Sequence, residues 1–400
     1  MTREVWITGT GLLTALGEGE DATWAALEDP ARRRAAIDSE GFKPFHVHPI
    51  RALDLDRYIP RKGDQRQMGA LQQYGAYAAG MALADAGIAG NPELLKTVHL
   101  VVASTGGERD ETLDGQIVAA LTEKPDREVQ LNEQLSTGLR PTLFLAQLPN
   151  LFGGNISIVH GVAGSSRTFM GEEPAGVDAL RIAFERIAAD QGDCFLVGSA
   201  YNGARRDAIL VYQPAGLMLS GPMLPLWRRP RGGMAFGSMG TFLVAESRAH
   251  AEARGRQPLA RLSAVMNDRC ARAPGAAAAN AARQWEAIRP RLRESPIAVM
   301  SGASGAGPIT GEEHAFLEKL AGTGRSLAVR GTAAALGHGM EASFLANVIL
   351  AISSVRRGRV FAPLDPDDPL EAAAEAGVTQ AIATAWGHWR GEGLALIEAV

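Results

Sequence analysis

The residues able to do nucleophilic chemistry are few. Two cysteines are present, Cys194 and Cys270. Cys194 lies inside the apolar run Asp193 to Val197, where an inert buried thiol is the default. Cys270 sits between Arg269 and Arg272, whose charges could lower its pKa, although no motif around it marks a pocket. Ser165 and Ser166 follow Gly164 in a turn-like stretch with no base identifiable beside them. Glu172-Glu173-Pro174 has the composition of a helix start, since acids and proline favour a first turn. His338, in Leu336-Gly337-His338, is open to a structural or a chemical reading, and His314 reads as an exposed helix residue. No metal-ligand spacing and no P-loop is present, and Gly9-Thr10-Gly11 alone is not a dinucleotide fingerprint. Arg61, Lys62 and Arg66 form a basic cluster, with Arg205 and Arg206 as a weaker one. Each is either a solvated charge cluster or a docking surface for an acidic partner.

The elements that must position these groups alternate. Glu4 to Ile7 is β-rich and runs into a Gly-rich turn at Gly9-Thr10-Gly11. Asp21 to Leu27 and Tyr74 to Ala86 read as helices, the latter stopped by Gly87. Val98 to Ala103 is a buried-strand pattern, and Ser104 to Gly107 a turn. Pro174 to Ala188 is helical, and Asp193 to Val197 is again a strand. Beyond a Gly- and Pro-rich loop region, Leu224 to Gly240, the theme returns. Leu259 to Val265 and Ile297 to Met300 read as strands, with Ala276 to Ala287 helical. Met340 to Val355 is a long apolar helix, and Gly393 to Val400 closes as a strand. Short apolar runs bounded by glycine and separated by helices argue an α/β fold with a buried sheet. Two halves of related order suggest duplication, and the best division falls near residue 250, giving units 1–250 and 251–400.

Bulk composition excludes several classes. A chain of 400 residues with 46% hydrophobic side chains can bury a large core without staples. Two cysteines give no disulfide framework and suit a reducing cytoplasm. A formal charge of -4 provides no global basic field for nucleic acid or membrane. Thr2 to Gly9 has no apolar signal-peptide core, and the longest apolar stretch, Ala342 to Ile352, is too short for a bilayer. A cytoplasmic protein is expected.

Several motifs in order resemble the β-ketoacyl-carrier-protein synthases, which have the thiolase fold. Val5 to Gly17 is similar to that family's opening "VVITGLGLVTPLG". Arg61 to Gly75 is similar to its "RKEQRKMD…QYG", Gly192 to Ala200 to its "GDADVMVAGGA", and Val329 to His338 to its "VSSTKSMTGH". The resemblance implies two duplicated α/β halves in an α-β-α-β-α layering. It also implies a site of one cysteine, two histidines and a lysine. The cysteine accepts the acyl chain at a helix N-terminus, where the helix dipole and backbone N–H groups help it. Gly161 to Ser166 matches the family's "GLRGPS", which puts Glu173 at the cysteine's place. The first histidine's place falls on Gly302 or Ala303 and the lysine's on Ala333, while the second histidine is kept as His338. The acyl-gating loop "NSFGFGGTN" is altered to Thr384 to Glu392, including Trp386, with His388 at the gating phenylalanine's place and a stiffer loop expected.

On this resemblance Glu173 cannot form a thioester. The chain is expected to be a synthase-shaped subunit without its own condensation chemistry, similar to chain-length factors. It would pair with an active ketosynthase, or with itself, and shape the acyl tunnel. The alternatives are an active 3-oxoacyl synthase with displaced chemistry, at Ser165, Ser166 or Cys270, or a decarboxylating or priming subunit. The implied partner is acyl-carrier protein, met by Arg61, Lys62 and Arg66, with acyl chains delivered on phosphopantetheine and no other cofactor and no metal. His160 to Glu173 is similar to homologues linked to very-long-chain acyl groups of lipid A. Aryl-polyene or polyketide assembly is the competing pathway.

Overall fold

Ten strands with long helices between them carry the architecture. The computed structural model describes residues 3–123, 126–139, 145, 147–374 and 376–400. The strands are β1 (Val5–Thr14), β2 (His99–Ala103), β3 (Ser166–Phe169), β4 (Cys194–Tyr201) and β5 (Met239–Ser247), then β6 (Ala260–Asp268), β7 (Ile297–Met300), β8 (Leu327–Arg330), β9 (Gln380–Trp386) and β10 (Glu392–Glu398). They lie in the order β8-β7-β9-β10-β6-β1-β5-β4-β2-β3, with a two-residue strand, Gly17–Glu18, folded back on β1.

The order repeats. The first five strands run β1-β5-β4-β2-β3 and the last five run β6-β10-β9-β7-β8. The senses repeat as well: antiparallel, antiparallel, parallel, parallel in each half. The halves join where β1 pairs with β6, Val5 opposite Leu262 and Ile7 opposite Ala260. Parallel pairs need crossover helices, and these cover the sheet faces.

The helices that matter are α1 (Ala70–Asp85), α2 (Pro149–His160), α3 (Glu173–Ala188), α4 (Ala276–Ile288), α5 (Ile309–Ala321) and α6 (Ser343–Arg357). α3 and α6 touch each other and strands of both halves, while α1 and α2 cover the outer face of the first half and α4 and α5 that of the second. The result is the five-layered, duplicated thiolase-like arrangement. Val177, Leu180 and Ala183 of α3 share one core with Leu345, Val348, Ile349 and Ile352 of α6. A helix apolar on nearly every face, as α6 is, must be buried on every face.

One sequence expectation fails here for a clear reason. Gly9-Thr10-Gly11 is not a turn; β1 runs straight through it. A Cβ on Gly11 would stand 2.0 Å from the Ala78 carbonyl oxygen, and one on Gly9 2.5 Å from that of Ala82. These glycines let α1 lie against the strand. At the far end of the sheet, β3 pairs with β2 and its other edge is open among the described residues. Ile158 of α2 and Met170 are 67% and 59% exposed beside it. No helix of the described residues is long and apolar enough to cross a membrane.

Candidate functional site

The head of α3 is where the chemistry of this chain is concentrated. Pro174 opens the helix, and Gly176 has no room for a side chain, since a Cβ would stand 2.1 Å from the Glu341 carbonyl oxygen. That contact presses the start of α3 against the Met340–Ala342 turn, which follows His338. The residue before the helix, Glu172, has φ 61 and ψ -144. Such a conformation costs a non-glycine residue about 1–3 kcal/mol, and positions of this kind cluster at functional sites.

Glu173 lies inside a cage of imidazoles. Its Oε1 accepts from His338 Nε2 at 3.0 Å, from His388 Nδ1 at 2.9 Å and from the His388 backbone N–H at 3.3 Å. The three side chains are 3%, 1% and 4% exposed, so the contacts are dry. Burial pushes the Glu173 carboxyl up, but the charge of His388 and hydrogen bonds from both histidines win and hold it well below its ordinary range. For His388, burial pulls down and the Glu173 charge and bond pull up more strongly, so its pKa is raised. Both shifts favour an ionised Glu173 facing a protonated His388, with His338 as a second hydrogen-bond partner of the carboxylate. Glu341 is buried close by and is pushed up to about 7, by burial first and by the charges of Glu173 and Glu172.

His388 reaches Glu173 from the hairpin loop 387–391. Gly387 closes that loop on Gly391 at 2.9 Å. Arg272 donates to the Gly387 carbonyl and pairs with Glu392 at 2.6 Å. Asn280 also donates to Glu392, at 2.7 Å. Gly391 lies against Pro174, so closely that a Cβ on the glycine would stand 2.7 Å from the proline ring. Trp386 belongs to β9 rather than the loop: it is buried against Phe316. Trp389 is left 66% exposed at the tip.

The remaining positions of the predicted site are closed. Gly302 donates its N–H to Thr384 Oγ1 at 2.8 Å and to Glu313 Oε1 at 3.3 Å. A Cβ there would meet the Ala385 Cα at 2.6 Å, so no side chain fits. Ala303 and Ala333 are buried together with Leu226. The void between Gly302, Ala303, Ala333 and His338 measures about 10 Å³, at or below the volume that one water requires.

The structure separates the other candidates. Cys270 donates to Glu392 at 3.2 Å, and burial with that carboxylate pushes its thiol up to about 11, against the lowering expected from its arginines. Arg272 reaches the sulfur at 3.5 Å and pulls the other way, but it also pairs with Glu392 at 2.6 Å and burial outweighs it. Cys194 is buried in β4 and pushed well up by burial. Ser165 does have a base, His99 Nδ1 at 2.8 Å, but the pair lies on the surface beside Arg186. His314 is not an exposed helix residue: it is bonded to Asp368 at 2.8 Å and packed on Trp227. Arg61, Lys62 and Arg66 are exposed on and beside a short helix, Lys62–Gln67, with Lys62 paired to Asp56. Arg205 is tied to Asp207, and Arg206 reaches Glu111. The sequence did not disclose that His388 turns inward to Glu173. The one available signal lay in the resemblance, which set a basic residue, His388, at an expected aromatic position and an acid, Glu173, at the expected nucleophile position.

Comparison with known proteins gives this geometry a context. The family model "Beta-ketoacyl synthase, N-terminal domain" matches residues 2–250. The 3-oxoacyl-[acyl-carrier-protein] synthase 2 of Vibrio cholerae is 25% identical over 261 residues, covering 63% of this chain and 60% of that protein. The enzyme of the same name from Rhizobium meliloti is 26% identical over 271 residues, covering 63% and 61%. The match thus spans about three fifths of the length of these relatives. Among solved structures, the ishigamide ketosynthase/chain length factor superposes over the whole of both chains with TM-score 0.80 at 19% identity. A β-ketoacyl synthase from Burkholderia phymatum does so with TM-score 0.77 at 20% identity. A type II ketosynthase bound to its acyl-carrier protein also covers both chains fully, with TM-score 0.75 at 17% identity.

Proposed function

This chain belongs to the β-ketoacyl synthase family, and from that membership we propose that it is a non-catalytic ketosynthase-like subunit that pairs with an intact synthase. The observation that carries the reading is the occupied head of α3. Where the family keeps its thiolate, Glu173 is buried, ionised and bonded to both His338 and His388. A carboxylate held well below its ordinary pKa is a poor nucleophile, and an acyl anhydride formed on it would be labile. The closed positions around Gly302, Ala303 and Ala333 support the same reading, because they leave no space for a malonyl group beside His338.

On this reading the chain divides near residue 250, with units 1–250 and 251–400 each carrying one copy of the repeated strand order. The open edge of β3, flanked by Ile158 and Met170, is the surface offered to the partner synthase. Arg61, Lys62 and Arg66 meet the acidic carrier protein that brings acyl chains on phosphopantetheine. Very-long-chain fatty acyl synthesis is the pathway we favour over aryl-polyene or polyketide assembly.

Co-expression with a neighbouring intact synthase tests the proposal. A stable one-to-one complex, with an elongation rate or product length that depends on this chain, is the expected result. Elongation by the partner that is unchanged when this chain is absent refutes it.

A further inference from the structure

We propose that a cleft between the short helix Pro30–Ala35, the 223–225 loop and the short helix Ala333–Leu336 binds a small amphipathic anion, with a carboxylate or phosphate head on a short apolar chain. The cleft encloses about 430 Å³, within the usual range for small-molecule sites. Its walls are apolar at Ile37, Leu224, Pro225, Ala335 and Leu364, and its charged groups are Arg33 and Arg34. Among the described residues no carboxylate belongs to the lining. The cleft shares no lining residue with the closed void beside His338, so the inference stands apart from how Glu173 is read.

The charge at the mouth is uncompensated. Arg34 is exposed, and its side chain has no hydrogen bond or ion pair among the described residues. Arg33 is half-buried. Its Nη1 donates to the Leu27 carbonyl at 2.7 Å and the Pro363 carbonyl at 3.5 Å, which leaves Nε and Nη2 for a ligand. Burial pulls the Arg33 pKa down; Glu371 opposes that, and the neighbouring Arg34 charge adds to it. Glu371, Asp29 and Glu28 are the acids felt there, and each is engaged elsewhere. Glu371 accepts from the Gly331 and Leu364 N–H groups, Asp29 caps the helix through the Ala31 and Arg32 N–H groups, and Glu28 pairs with Arg359.

Arg229, behind the 223–225 wall, is the second observation. It is 7% exposed. Nη1 donates to the Gly233 carbonyl at 2.6 Å and Nε to the Leu224 carbonyl at 3.1 Å. Nη2 is directed at the Met223 sulfur, 3.8 Å away. A thioether is a weak acceptor, and Met223 is itself part of the cleft lining. No carboxylate offsets this guanidinium, and burial alone pulls its pKa down to about 10. A buried cation without a counter-charge is unfavourable. Met223 is unbranched and flexible, so its sulfur can swing aside for a better acceptor. An anionic head held by Arg33 and Arg34 at that wall supplies the counter-charge Arg229 lacks. Guanidinium forks match carboxylate and phosphate alike. The apolar walls then take the chain.

The test is calorimetric titration of the full chain, in phosphate-free buffer near neutral pH, with octanoate and with octyl phosphate. Each should saturate at one equivalent. Octylamine, of equal length and opposite charge, should not bind, and inorganic phosphate, which has no chain, should bind at least about tenfold more weakly. Arg34→Gln should weaken both anions about tenfold or more without moving the urea midpoint, because that side chain holds nothing else. Ala334→Phe, which puts a ring into the cleft from a half-buried lining position, should abolish binding. Absence of saturable binding overturns the proposal. So does octylamine or inorganic phosphate binding as tightly as octanoate, or an affinity unchanged in either variant.

Discussion

Replacing His388 with phenylalanine, the residue type the family keeps in its gating loop, strips Glu173 of its imidazolium while leaving ring volume nearly unchanged. What remains for the carboxylate is His338 Nε2 at 3.0 Å and one backbone N–H at 3.3 Å. Removing one partner of a buried ion pair costs about 3–5 kcal/mol. The retained His338 bond places His388→Phe at the lower end, about 3 kcal/mol, or roughly a hundredfold in the folding equilibrium. The pH dependence follows from the two shifts. Glu173 is held below its ordinary 4.5, so its contribution is present above that value and is lost as pH falls through the folded pKa. His388 is raised above its ordinary 6.5, so its contribution is complete below that value and fades as pH rises through the folded pKa. The pair is therefore at full strength between 4.5 and 6.5. Urea unfolding of wild type and His388→Phe should show the widest gap in that window and a narrower one at about pH 9. The double variant Glu173→Leu/His388→Phe should recover much of the loss, because an apolar pair carries no buried charge. A gap that is the same in acid and alkali, together with a double variant as unstable as the sum of the singles, would sink the reasoning.

Further outcomes follow from the same contacts. On the proposed reading, in which Gly302 and Ala333 stand where a first histidine and a lysine are expected, Glu173→Cys should give no condensation activity in an elongation assay; a clear gain of product would overturn that. Gly302→Ala should lower stability by about 1–3 kcal/mol, because the new Cβ meets the Ala385 backbone at 2.6 Å; an unchanged urea midpoint would contradict the close approach. Cys270 should react slowly with iodoacetamide at neutral pH, its thiol being pushed up to about 11, and faster in Glu392→Gln. Arg66→Glu should weaken carrier-protein binding most at low salt; equal binding at all salt concentrations would mean the cluster is only a solvated face.

The fold was legible in the sequence because its strands are short apolar runs between helices of clear period. Ile297 to Met300 is a strand with the bounds read from the sequence, and Ala276 to Ile288 exceeds its expected helix by one residue. Glycines were the harder signal. Gly9 and Gly11 look like turn residues, yet they serve close approach to α1, a distinction that depends on a helix some seventy residues away. The site divides in the same way. The resemblance singled out Glu173 and His338, but not their contact. His388, Glu313 and Glu341 come from other elements, so nothing local announces them. Cys270 shows the limit of reading charge from neighbours in sequence: Arg269 pairs with Asp178, and Arg272 pairs with Glu392, which packs in from β10.

The open edge of β3 bears on how much of this chain a cell can tolerate. A strand with one unpaired side can be capped by a partner or by another copy of itself. Copies made in excess of the partner therefore have a self-pairing route that partner-bound copies do not. Supply matched to the partner, through coupled synthesis or removal of the surplus, is then a condition for keeping the subunit in use rather than in aggregates.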